Sequence, residues 1–228
     1  MLQPFFTQKM HNMNAQNSLH GKVKKIAHGL LKSSKKSHNW AHTMRVVKLC
    51  RHIGSKEGAD MDVLLTAAYF HDIGRDIQDS SHGIICHAKK GAEIAMPIVE
   101  NLPFLTKQKE NIIHCIRSHR FRGNHTPQTI EAKVLYDSDK IDAIGAVGIA
   151  RAFLFAGELG ARLHNPDIKI EDTVSYSSDD TGYREYKVKL SKIKDRLLTN
   201  EGKKIGSERH SFMENFFTQF IKEYKGDY

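Results

Sequence analysis

His42, the neighbouring pair His71 and Asp72, and Asp139 are the residues whose types and spacing carry the most chemistry in this chain. Imidazole nitrogens and carboxylate oxygens form the ligand set of borderline-to-hard divalent cations such as Mn, Fe, Co or Zn, and two aspartates neutralise one such ion. Four protein ligands on an octahedral ion leave two positions for water or substrate. Adjacent residues on a helix point about 100° apart. His71 and Asp72 therefore reach one ion only if their helix ends in a cleft among several others. Gly74 supplies a helix stop at that place. The pair on its own also fits a histidine capping a helix end.

The elements that must position these residues read as helices. Residues 1–16 are Asn/Gln-rich and without period, which predicts a flexible arm ahead of one domain over 17–228. Leu19, Val23, Ile26 and Leu30 form a helical stripe, and His42, Val46, Leu49 and Ile53 repeat it. Residues 62–73 predict a dense apolar helix, and 75–86 a loop. A helix over 87–101 is expected to kink or divide at Pro97, and Thr106 to cap a helix carrying Ile112, Ile113 and Ile116. Two helices follow over 129–144 and 146–160, separated near Gly145. Residues 165–182 read as a long surface loop, and 184–199 and 201–225 as the last two helices. With no strand alternation and no internal repeat, the expected fold is all-α, a single-domain helical bundle.

The 228 residues, 39% hydrophobic and 27% charged, are enough to bury a substantial core and exclude a mainly disordered chain. No apolar run approaches the roughly 18 residues of a membrane span, and the N-terminus lacks the apolar region of a signal peptide. The expectation is a cytoplasmic protein with no membrane partner. Cys50, Cys86 and Cys115 lack CxxC spacing, which argues against a disulfide framework or a thiolate zinc site. The net charge of +9 predicts attraction to polyanions, either phosphorylated small molecules or nucleic acid. P-loop, Rossmann, GxSxG and HExxH patterns are all missing, so kinase, dehydrogenase, serine-hydrolase and metallopeptidase readings lose their usual support.

HTMRV from His42, AAYFHDIG around His71 and Asp72, and YDSDKIDAIG around Asp139 together resemble the signature of the HD-domain superfamily of metal-dependent phosphohydrolases. The later DSDKIDAIGAVGIARAF and LLTNEGKKIGSERHSFMENFFTQFIKEY are similar to one bacterial branch of it, and the resemblance runs from His20 to Tyr224. It implies an HD-type helical bundle in which His42, His71, Asp72 and Asp139 ligate a divalent ion, Mn first, with Mg, Co, Fe or Zn as alternatives. His87 and His119 fall where longer versions of the signature ligate a second ion, and His119 is alternatively a phosphate donor. Asp76 is placed as the general acid or base, or else as a helix cap. Asp142, one turn after Asp139, would accept an imidazole N–H or hold a cation. Arg45 and Lys140 would neutralise substrate phosphate or serve as ion-pair partners.

The implied activity is hydrolysis of a phosphorylated small molecule, a nucleotide first, with (pyro)phosphohydrolysis leading. The alternative is a catalytically silent basic protein on the same scaffold that senses nucleotides or binds nucleic acid. An oxygenase using two metals and both extra histidines ranks last.

Overall fold

The computed structural model describes residues 19–31, 40–81, 84–120 and 125–227. The arm expected at 1–16 lies outside the described residues. Every regular element among the described residues is helical and none is a strand, as expected. The α-helices are α1 (19–30), α2 (Trp40–Glu57), α3 (Met61–Phe70), α4 (Arg75–Ser80), α5 (His87–Glu100), α6 (Thr106–Ser118), α7 (Ile130–Asp142), α8 (Gly145–Glu158), α9 (Gly182–Val188) and α10 (Asn200–Lys225). No described helix is long and apolar enough to cross a membrane. The chain divides within α7 into two compact units, one ending at Tyr136 and the other beginning at Asp137.

In the first unit α2 packs on α3, α3 on α6, α6 on α5, and α5 on α4. Their buried faces come from Val46, Cys50 and Ile53, from the almost wholly apolar α3, from Ala88, Ala92 and Ala95, and from Ile112 and Ile116. Each large apolar side chain removed from water contributes roughly 1.5–3 kcal/mol, so this interior outweighs the polar groups it carries. Asp60 caps α3 by accepting from the backbone of Asp62 and Val63, and Gln108 Nε2 ties that cap to α6 at 2.8 Å.

Three local expectations need correction in this unit. Residues 75–80 form the short helix α4 where a loop over 75–86 was expected; Gln78 N already donates to Gly74 O and Ser81 N to Ile77 O, so one turn closes on itself. Thr106 is the first residue of α6 and not its cap. Leu105 holds the cap position, and its N–H donates to Gln108 Oε1 at 3.1 Å. Pro97 lies at an exposed position inside α5, and the helix runs on to Glu100 without dividing there.

The second unit packs α8 against α9 and α10. Phe153 of α8 meets Phe216, Phe217 and Phe220 of α10, and Tyr186 of α9 stacks on Phe217 with ring centroids 4.3 Å apart. The helix expected over 184–199 is instead α9 followed by two 3-10 turns, Leu190–Lys192 and Lys194–Arg196. Leu190 and Ile193, three apart, both turn inward there, the spacing a three-residue turn satisfies. Arg184 fastens part of the segment over 165–182. Arg184 donates to Asp180 Oδ1 at 2.7 Å, to Ser175 Oγ at 3.1 Å and to Thr173.

Candidate metal centre

Helix ends build this centre. His42 opens the buried stripe of α2 that continues through Val46, Cys50 and Ile53, so the periodicity that packs the helix also draws this imidazole inward. α3 stops at Phe70, with His71 at its C-cap and Asp72 in the turn that follows. His87 is the first residue of α5, and His119 is the C-cap of α6, one turn beyond the buried Cys115 and Ile116. The start of α2 thus meets the end of α3, and the start of α5 meets the end of α6. Asp72 sits between the two meetings.

Distances give this arrangement its chemistry. His42 Nε2 and His71 Nε2 face each other at 3.2 Å, and Asp72 Oδ2 lies 3.6 Å from the first and 3.8 Å from the second. On the other side, His87 Nε2 and His119 Nε2 are 3.1 Å apart, with Asp72 Oδ1 at 3.5 Å and 3.8 Å. In each triad the ligand-type atoms lie within 4.8 Å of one another and all the residues are buried. Asp72 presents a different oxygen to each triad.

Hydrogen bonds at Nδ1 hold three of the four rings in place. His71 Nδ1–H donates to the Ala68 carbonyl at 2.8 Å and His119 Nδ1–H to the Ile116 carbonyl at 2.6 Å. His87 Nδ1–H donates to Gln78 Oε1 at 2.8 Å. In a neutral ring each such bond leaves Nε2 as the acceptor nitrogen, the form that ligates a metal.

His71 Nε2, the acceptor nitrogen of its ring, faces His42 Nε2 at 3.2 Å, and the buried Asp72 Oδ2 beside them has no hydrogen-bond partner. Two imidazoles and a carboxylate oxygen so gathered, His42, His71 and Asp72 fit a divalent metal. Burial pushes the Asp72 carboxyl up, but Arg75 first, then His71, His119 and His87, hold it well below the ordinary carboxylate range.

The sequence-identified residues divide between the two units. His42, His71, Asp72, His87 and His119 come together in the first, with Arg45 half-buried on α2 and Asp76 half-buried in the first turn of α4. In the second, Lys140 donates to Asp139 Oδ2 at 2.7 Å, and Arg151 Nη1 donates to Asp142 Oδ2 at 2.9 Å. The cation expected on Asp142 is thus a protein arginine. Arg75 and Gln78 escaped the sequence reading. Arg75 follows Asp72 by three residues, the spacing of an ion pair across one turn, and that signal was available.

Comparison with known proteins identifies the family of this fold. A family model described as HD domain matches residues 39–144, which include all four residues of the resembled signature. The chain is 34% identical to YpgQ of Bacillus subtilis over 205 residues, covering 86% of this chain and 89% of that one. The crystal structure of B. subtilis YpgQ in complex with ADP superposes with a TM-score of 0.68 at 29% identity, covering 91% of this chain and 96% of the other. An HD-superfamily hydrolase from Bacillus thuringiensis superposes with a TM-score of 0.73 at 27% identity, over 92% and 98%. From the helical fold, the paired histidines around one aspartate and these likenesses, the chain belongs to the HD-domain superfamily.

Proposed function

We propose that this protein is a metal-dependent phosphohydrolase whose substrate is a nucleotide, with (pyro)phosphohydrolysis as the leading reaction. The observation that carries the reading is the His42–His71–Asp72 triad, where facing imidazole nitrogens and a partnerless buried carboxylate oxygen make a cation the missing neighbour. The ADP in the B. subtilis YpgQ crystal supports a nucleotide as the phosphorylated ligand. The net charge of +9 supports an anionic one.

A divalent ion bound there, Mn first, supplies Lewis acidity toward a phosphoryl oxygen and toward water. The rest is work for side chains. His71, oriented by the Ala68 carbonyl, and His42 hold the ion on one side, and Asp72 supplies the charge. Asp139 is proposed as the fourth ligand on the strength of the signature match alone. Asp76 is proposed to move the proton between water and leaving oxygen, and Arg45, Lys140 and His119 to offset phosphate charge.

The test is a panel of nucleoside mono-, di- and triphosphates with Mn, Mg, Co and Zn, measuring phosphate and pyrophosphate separately. The expected outcome is Mn-dependent release of one of these products, abolished by chelation. A salt-sensitive complex with nucleic acid and no turnover of any nucleotide would overturn the reading.

A further inference from the structure

The His87–Asp72–His119 triad already contains a cation. Arg75 Nη2 lies 3.1 Å from Asp72 Oδ1 and 3.1 Å from His87 Nε2. The second contact has a fixed direction, because His87 Nδ1–H is committed to Gln78 Oε1 at 2.8 Å and Nε2 must be the accepting nitrogen. An imidazole nitrogen of this kind has one in-plane lone pair. It points at a guanidinium N–H or at a metal ion, and not at both.

The backbone of Arg75 is tied beside the triad. Its backbone N–H donates to the Asp72 carbonyl at 2.9 Å, so the residue is anchored one turn from the carboxylate its side chain meets. A guanidinium stays charged across the whole working pH range, so deprotonation does not release it. Its single charge is spread over a planar fork, which suits one carboxylate oxygen and one ring nitrogen. A second divalent ion would instead put two more positive charges across Asp72 from the first ion.

We propose that Arg75 takes the place of a second divalent ion in the His87–Asp72–His119 triad, so that the protein binds one ion and keeps a guanidinium where a two-metal centre would hold the other. The proposal rests on the reading of the His42–His71–Asp72 triad as a metal site. It makes residue 75 the determinant of metal stoichiometry.

Manganese binding to the full chain tests it, by titration calorimetry with MnCl2 alone and by metal analysis after dialysis, with circular dichroism confirming the fold. Wild type should bind one ion per chain. R75A should bind two, and R75A/H87A should return to one, which assigns the added ion to His87. R75M, which keeps an apolar stem of similar length without any N–H donor, should also bind two and decides the matter if R75A does not fold. Two ions in wild type, one ion in a folded R75A or R75M, or two in R75A/H87A would overturn the role of Arg75 while leaving the first triad standing. No ion in wild type would overturn the metal reading beneath it.

Discussion

Asp72 and Asp137 are both buried, at 1% and 0% exposure, and the two units treat them in opposite ways. Asp137, in the second unit, is saturated. Its carboxylate accepts from Leu198 N at 2.9 Å, from Thr199 N at 2.7 Å and from Thr199 Oγ1 at 2.7 Å. Thr199 in turn caps α10 by accepting from Gly202 N at 3.1 Å, so this aspartate fastens the start of the longest described helix. Asp72, in the first unit, has Arg75 on one oxygen and no hydrogen bond on the other. Burial pushes the Asp137 carboxyl above its ordinary value in spite of its donors, whereas the cation beside Asp72 holds that one well below. A buried carboxylate whose valences are all met by its own chain is a fastener. One left partly unmet amid facing imidazoles is reserved for something the chain does not supply.

The largest expected effect breaks the centre without breaking the fold. Asp72→Ala removes the one anionic group of the triad, and since loss of a mere supporting partner already costs a metal site about 10–100-fold, manganese affinity should fall by more than about 100-fold. Hydrolysis should go with it. Urea unfolding with and without Mn gives the check: wild type should gain stability with Mn according to ligand linkage, and the variant should gain none. A variant that keeps the full manganese increment would remove Asp72 from the centre.

Asp137→Ala should show the reverse pattern. It strips a charged acceptor from two buried donors and a partly buried one, and hydrogen bonds to charged groups contribute about 1.5–3 kcal/mol, so a loss of about 2–4 kcal/mol in urea unfolding is expected. The stability gained on adding Mn should persist. If Asp137→Ala abolished that gain while leaving apo stability unchanged, the distinction between the two aspartates would fail.

Much of the first unit was legible because one periodicity serves packing and ligation together. His42 and His119 continue apolar stripes, and stripes are visible in a sequence. The need for His71 and Asp72 to sit at a helix end followed from the 100° step alone, and α3 does end at Phe70. The pairing of Arg75 with Asp72 was available from their spacing, but its contact with His87 was not legible, because His87 is twelve residues away and brought alongside only by the packing of α4 on α5. The failure at 184–199 has another origin. Leu190, Ile193 and Leu197 satisfy a helical spacing, yet short 3-10 turns bury the same side chains, and periodicity over so few residues does not separate the two. Gly74 was expected as the helix stop, but α3 ends four residues earlier with His71 at its C-cap, and Gly74 is instead the N-cap of α4. Its φ of −92° is open to any residue, and what demands glycine there is space.

That space is the contact that brings His87 beside Asp72, and it sets the smallest of the expected effects. A Cβ on Gly74 would run into the His87 carbonyl oxygen and stand 2.6 Å from Gly91 N, both backbone atoms of α5 that cannot swing aside. Overpacking of this kind costs about 1–3 kcal/mol, and Gly74→Ala should lose that much stability while loosening the hold of Arg75 on His87. Gly91 faces the same junction from the other side, but a Cβ there would meet its nearest neighbours, Gly74 N and the His71 carbonyl, at 3.5 Å, ordinary contact distance. Since alanine is favoured over glycine inside a helix by about 0.8–1.0 kcal/mol, Gly91→Ala should be neutral or mildly stabilising. Thermal unfolding of the two variants side by side reads the sign of each change. Equal losses would mean that both glycines serve the junction alike, whereas opposite signs place the close approach at Gly74 and make it the point on which the second triad is assembled.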